Sequence, residues 1–310
     1  MHSHIFRDQK TLFKPKSDLT LTDNGQPRTW VSMDIYYIDG EFLPSDKAFI
    51  SVNDLALLRG YGVFDFLRTY NKTPFFLDEH LIRLRRSAEL IDISLPWNNR
   101  ELSGIVQETL KHNGYPESSI KILVTGGDSL DGLIPIGKSR LLVMVSPLSP
   151  PDTSMYESGV SLTTSRIPRL FPGAKSTNYI AGIRAIAAAR RAGAAESLYV
   201  GRKNQVLECV TSNFFGFKGD TLVTPESDIL PGITRKVVLD LVADVFTIEA
   251  REMHLDELTL LDEAFITSST KEVMPVVRVD DMVIGGGGPG KNTLRLMELF
   301  SEFTATWGKS

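Results

Sequence analysis

Short apolar runs bounded by turn residues recur along this chain, and stretches with helical spacing separate them. IYYIDGEFLP (35–44) reads as two strands around Asp39–Gly40, because Asp-Gly readily takes the backbone that a two-residue hairpin turn requires. VFDFLRTY (63–70) and TPFFL (73–77) predict a second hairpin, turned at Asn71–Lys72. Asp78 is placed to cap a helix through about residue 93, with Leu81, Leu84, Ala88 and Ile91 as its apolar stripe. A helix near 99–113 and strands at 119–125 and 140–146 complete this half.

SPLSPPDTS (146–154) interrupts the pattern, since proline neither continues a helix nor donates to a ladder. Beyond it the periodicity predicts a strand at 159–164, a helix at 180–192 and strands at 196–200, 205–209, 212–217 and 221–224. An amphipathic helix at 232–246, further strands and a last helix near 291–304 follow. With 310 residues the chain exceeds the size at which one core usually divides, roughly 250. The expected organisation is an extension at 1–33, a small α+β domain at 34–147, a linker at 148–155 and a larger domain at 156–310. Many strands with few βαβ units make the second domain α+β as well, with a closed or barrel-like sheet.

A composition of 42% hydrophobic and 23% charged residues is that of a globular chain with ample core. The formal charge of −4 gives no support for nucleic-acid binding. No apolar run reaches the 18 or so residues of a membrane span, and the first thirty residues lack the apolar stretch of a secretory signal. The single cysteine, Cys209, excludes an intramolecular disulfide and fits a reducing compartment, so cytoplasm is expected.

Several segments could carry chemistry. In LPGITRKVV (230–238) a Pro-Gly turn opens directly into a helix, leaving the first N–H groups of Gly232, Ile233 and Thr234 for an anion; an ordinary helix start explains the same letters. ITSSTKEVMPV (266–276) gathers hydroxyls after an apolar strand, either for an anion or to close a turn. In EHLIRLRR (79–86), Arg83 lies one helical turn from both His80 and Arg86, which makes a solvated basic face or an inward phosphate ligand. Lys175, in the loop-like FPGAKSTNYI, would ordinarily be exposed. Glu208 interrupts the apolar strand VLECV, and needs either a buried partner or an edge position. GGGGPGK (285–291) looks like a phosphate loop but lacks the Gly-Lys-Ser/Thr ending, which favours a plain loop.

Taken together, YIDGEFLP, RGYGVFDFLRTY, DEHLIRL, AKSTNY, LECVTSNFF, LPGITR and SSTKEVMPV resemble, in order and spacing, the class IV (fold-type IV) aminotransferases. This family includes branched-chain and D-amino-acid aminotransferases and aminodeoxychorismate lyase, and the resemblance covers about residues 35–305. It implies a two-domain, homodimeric enzyme with pyridoxal 5′-phosphate held by Lys175 as a Schiff base. By motif, Glu208 would face the pyridine nitrogen, Tyr179 the cofactor's O3′, and Leu230 the ring. Arg83, Ile233, Thr234 and one or both of Ser269 and Thr270 would hold the phosphate. Lys175 would then carry the proton between the substrate's α-carbon and the cofactor.

The substrate is less legible. ILVTGGDSLDG (122–132) lacks the Arg-x-His carboxylate trap of the Bacillus-type D-amino-acid enzymes. RGYGVFDF also departs from the branched-chain pattern, with Arg59 where a pocket tyrosine is expected. Arg59 would suit a substrate carboxylate, in the family across a dimer, or would simply sit on the surface before a turn; Lys121 is a second candidate cation. A D-amino-acid-type or otherwise atypical transaminase is the preferred reading. A branched-chain L-amino-acid transaminase comes next, and a lyase last.

Overall fold

Two sheets carry the candidate residues toward one another. The computed structural model describes residues 34–167 and 169–309; the extension expected over 1–33 lies outside the described residues. The first sheet and its helices comprise β1 (Ile35–Ile38), β2 (Glu41–Pro44), α1 (Leu55–Arg59), β3 (Gly62–Tyr70), β4 (Thr73–Pro74), α2 (Leu77–Glu89), α3 (Asn99–Asn113), β5 (Ser118–Thr125) and β6 (Arg140–Pro147). Its strand order is β2-β1-β6-β5-β3-β4, antiparallel at every step. Both predicted hairpin turns form, with positive φ at Asp39 and Gly40 and at Asn71 and Lys72.

In β3 the side chains divide by parity. Val63, Asp65, Leu67 and Thr69 are buried, whereas Phe64, Phe66, Arg68 and Tyr70 are half-buried on the other face. Val63 and Leu67 pack with Leu81 and Leu84 of α2 and Leu102 and Val106 of α3. A Leu→Ala change at Leu81 or Leu84, both fully buried, should cost about 2–5 kcal/mol.

The second hairpin differs from expectation after Pro74. The strand read over 73–77 stops there, and α2 begins at Leu77 behind Phe76, which is left-handed and makes no side-chain cap. Asp78 therefore lies within the first turn, where its charge complements the helix dipole. The helix also ends at Glu89 rather than near 93, because the chain turns back through a left-handed Asp92. The helix at 99–113 is closed by an Asn98–Glu101 capping box and the left-handed Gly114.

The remaining elements are α4 (Ser154–Ser158), β7 (Val160–Ser165), α5 (Ile180–Arg191), β8 (Glu196–Val200), β9 (Gln205–Cys209), β10 (Asn213–Lys218), β11 (Thr221–Thr224), α6 (Ile233–Val242), β12 (Thr247–Ala250), β13 (Met253–His254), β14 (Glu263–Ser268), β15 (Glu272–Val279), β16 (Met282–Val283) and α7 (Lys291–Thr306). The helix expected over 232–246 thus stops at Val242. The strand order is β12-β11-β10-β14-β15-β7-β8-β9-β13, with β16 beside β15. β12 and β13 occupy opposite edges, yet only Arg251 and Glu252 separate them. Two residues span roughly 10 Å including their junctions, so the sheet must curl until its edges nearly meet. This is the barrel-like sheet expected, curled rather than hydrogen-bonded closed.

The glycine-rich run before α7 has a structural explanation. Glu263 accepts hydrogen bonds from the Asn292 N–H (3.0 Å), the Thr293 N–H (2.7 Å) and the Thr293 hydroxyl (2.7 Å). A protein carboxylate thus takes the place at the helix start that a phosphate would need.

Candidate active site

A cavity of about 300 Å³ opens between residues of both sheets. Phe64, Phe66 and Lys121 come from the first sheet; Glu208, Asn213 and the Thr267–Thr270 turn come from the second, together with the start of α6. Lys175, Tyr179 and Arg169 come from the segment that leads into α5. The Lys175 segment is no free loop. Its carbonyl accepts from the Phe64 N–H at 2.9 Å, the Thr177 N–H donates to Gly62 O at 2.8 Å, and the Lys175 N–H donates to Ser87 Oγ at 3.1 Å. These bonds run the segment along β3 and aim the amine inward, with Nζ 4.9 Å from the Phe64 ring centre. Desolvation, reinforced by the Arg83 guanidinium, brings the Lys175 amine down to about 8, against the opposing pull of Asp65 and Glu208.

One end of the cavity is built to receive an anion. Gly232 caps α6 with no side chain, so the first N–H groups of the helix have no intrahelical acceptor. Arg83 reaches this end from α2 and donates to Pro231 O at 3.2 Å. It is fixed by Asp65, which accepts from Nε at 2.9 Å and Nη2 at 2.8 Å, while His80 Nδ1 meets the same carboxylate at 2.6 Å. Burial alone would raise the Asp65 pKa, but Arg83 and His80 outweigh it and hold the carboxyl well below its usual range. Burial lowers the His80 pKa. The buried Thr267 Oγ1 has no partner among the described residues and borders the same cavity, which suits a polar group of the occupant.

Glu208 borders the same cavity and is buried rather than at a solvated edge. Its Oε2 accepts from the Leu230 N–H at 3.0 Å and Asn213 Nδ2 at 3.3 Å, and its Oε1 pairs with Arg169. Burial raises its pKa, opposed by Arg169, the Leu230 N–H and Lys175. Asn213 also donates to Leu230 O at 2.9 Å, and a Cβ at Gly232 would stand 1.9 Å from Asn213 Oδ1. Glycine at that position lets the carboxylate support and the anion end sit side by side. A phosphate-bearing ring with a protonated nitrogen fits this donor set, with the Lys175 amine in the same cavity.

Arg83, Lys175, Tyr179, Glu208, Leu230, Ile233, Thr234, Ser269, Thr270 and Lys121 all border this one cavity. Arg59 does not. It lies in a larger neighbouring cavity of about 560 Å³ that shares Arg169, Tyr179 and Val210 with the first. Its guanidinium donates to Leu58 O and lies 3.3 Å from the position of a Cβ on Gly132. The basic face read over Arg83, Arg85 and Arg86 also divides: Arg83 turns inward, Arg85 binds the carbonyls of Leu95 and Trp97, and Arg86 is exposed. Asp65, Asn213 and Arg169 are not marked out as site residues by the sequence, whereas Thr267 belongs to the hydroxyl run at 266–276. Of these, Asp65 left a signal, because an acid shares the buried parity of β3 with Val63 and Leu67.

Known proteins share this arrangement of chain. A model of the class IV amino-transferase family matches residues 62–279. A putative branched-chain-amino-acid aminotransferase of Methanocaldococcus jannaschii is 34% identical, over 88% of this chain and 97% of its own. A D-alanine aminotransferase of Bacillus licheniformis is 30% identical over 82% and 92% respectively. Among solved structures, a branched-chain amino acid aminotransferase of T.th. with pyridoxamine 5′-phosphate superposes with a TM-score of 0.82 at 29% identity, covering 88% of this chain and 94% of that one.

Proposed function

The chain belongs to the class IV aminotransferase family, and from that premise we propose that it moves an amino group between an amino acid of D-type, or otherwise atypical, and a 2-oxo acid. It is a pyridoxal-phosphate-dependent aminotransferase. The observation that carries the site assignment is the placement of Lys175, with its amine at about 8, in one cavity with buried Glu208 and an uncapped helix start. Lys175 would hold the cofactor covalently, Glu208 would face the ring nitrogen, Tyr179 would donate to the cofactor's O3′, and Leu230 would pack on the ring. Arg83, Ile233, Thr234 and the 269–270 turn would grip the phosphate. The cofactor, when bound, supplies a ring that withdraws electrons from the substrate's α-carbon. Once the substrate amine has replaced it, the Lys175 amine is free to take the proton from that carbon and return it across the cofactor.

Lys121 is the second candidate, beside Arg59, for the substrate carboxylate. It pairs directly with Phe66 across β3 and β5, borders the cavity, and its Nζ stands 5.8 Å from the Phe64 ring centre. The atypical donor is supported by Arg59 in place of the branched-chain tyrosine. Arg59 lies outside the Lys175 cavity of its own chain, which supports action across a homodimer. Phe49, Val52, Leu57, Leu130, Leu133 and Ile180 are exposed apolar side chains near this region, too many for a solvated face and suited to a second copy. The test is a panel of D- and L-amino acids with 2-oxoglutarate and pyruvate, followed in the cofactor's spectrum. D-amino acids should turn over fastest. Preference for L-leucine or L-valine would assign the branched-chain activity instead, and a Lys175→Ala variant with full turnover would overturn the site.

A further inference from the structure

We propose that Arg68, Tyr70 and Glu272 form a clamp that sets the position of the Ser269–Thr270 turn and so governs the grip on the cofactor's phosphate; this rests on the assignment of that cavity to pyridoxal phosphate. Glu272, the first residue of β15, closes the β14–β15 turn with a φ of 53°, a left-handed conformation that residues other than glycine seldom adopt. Such strain persists only where the surroundings impose it, and here they do. The Glu272 Oε1 accepts from Arg68 Nη1 and from the Tyr70 hydroxyl, both at 2.6 Å, and the Arg68 guanidinium stacks 4.1 Å from the Tyr70 ring centre. These charge-assisted bonds are short, and Arg68 is only 11% exposed.

The clamp joins the two sheets at the cavity. Arg68 and Tyr70 lie on β3 on the same face as Phe64 and Phe66, and Ser269 Oγ donates to Phe66 O at 3.0 Å. Lys271 is tied separately, through Nζ to the hydroxyls of Thr211 (2.7 Å) and Ser212 (3.3 Å), while its carbonyl accepts from Tyr156. The turn is therefore held on both sides, and Thr270 alone in it makes no side-chain hydrogen bond among the described residues. Because the Ser269 hydroxyl proton is committed to Phe66 O, the side-chain donor presented to a phosphate is that of Thr270. A shift of a few tenths of an ångström at Glu272 moves Thr270 directly. Arg68, Tyr70 and Glu272 are positioning residues; none of the three borders the cavity.

The clamp acts on the phosphate and not on the ring, so the test compares pyridoxal 5′-phosphate with pyridoxal on the apoenzyme, by fluorescence or absorbance titration. Glu272→Gly removes the carboxylate and the backbone strain together, and Tyr70→Phe removes one donor conservatively. Glu272→Gly should weaken pyridoxal phosphate about tenfold and Tyr70→Phe roughly threefold, in line with one net hydrogen bond or less. Pyridoxal affinity should stay within about twofold, since a missing phosphate leaves only the uniform ring contacts. Equal weakening of both ligands would make the clamp a general stabiliser and overturn the proposal, as would unchanged phosphate affinity in both variants. A wild-type protein that binds neither ligand would instead refute the cofactor assignment beneath it.

Discussion

Lys175→Met should stabilise the apoenzyme near neutrality, and the gain should fade as pH rises. The native amine titrates near 8 against an ordinary value of 10.5, so the unfolded chain holds its proton more tightly than the folded one. A cationic group with a lowered folded pKa destabilises the fold fully below about 8. That cost is relieved as pH rises from about 8 toward 10.5. A difference of about 2.5 pH units is worth roughly 3 kcal/mol at pH 7 and roughly 1.4 kcal/mol at pH 9.5, at about 1.36 kcal/mol per unit. Water in the open cavity screens the amine, so about 2 kcal/mol at pH 7 is the working expectation. Methionine keeps the unbranched length without the charge, which limits packing changes. The assay is urea unfolding of apoenzyme and variant at pH 7.0 and 9.5. A gain that does not shrink with pH, or a loss at pH 7, would refute the desolvated-amine account.

Other substitutions test the remaining parts of the site. Asp65→Asn should cost about 3–5 kcal/mol in denaturant unfolding of the apoenzyme, because Arg83 would be left buried without its counter-charge; a loss below about 1 kcal/mol would mean that Arg83 does not depend on Asp65. Glu208→Gln should slow the amino-acid half-reaction at least roughly 100-fold, about 2.7 kcal/mol of barrier, with near-normal single-turnover rates as the contrary result. Arg59→Ala should cost about 1.5–3 kcal/mol in kcat/KM for amino acids while sparing 1-phenylethylamine, which has no carboxylate. Equal losses for both substrates would indicate a structural role. Mixing Arg59→Ala with Lys175→Ala subunits should restore activity if Arg59 acts across the dimer, and confirmed heterodimers without recovery would exclude that route.

Local structure was legible in the letters wherever one residue's chemistry decides it. Gly40 and the Asx residues Asp39 and Asn71 tolerate left-handed backbone, so both hairpins were readable, and the apolar stripes located α2, α3 and α6 to within a turn or so. Their ends were less secure. Phe76 starts α2 in a left-handed conformation that no capping rule anticipates, because the packing of Phe75, Phe76 and Trp307 fixes it. Lys175 and Glu208 were legible through a resemblance in motifs, whereas their own letters allowed a surface lysine and an edge acid equally well. The choice between these came from the folded chain. Two hydrogen bonds with β3 turn a loop lysine inward, and Leu230, Asn213 and Arg169 make a buried acid tolerable. Arg68 and Glu272 lay furthest from reach: their meaning depends on which partner stands opposite, and they are 204 residues apart in sequence. Alternation and turn chemistry operate over a few residues, but a buried charge is defined by its partner, and the partner is chosen by the fold.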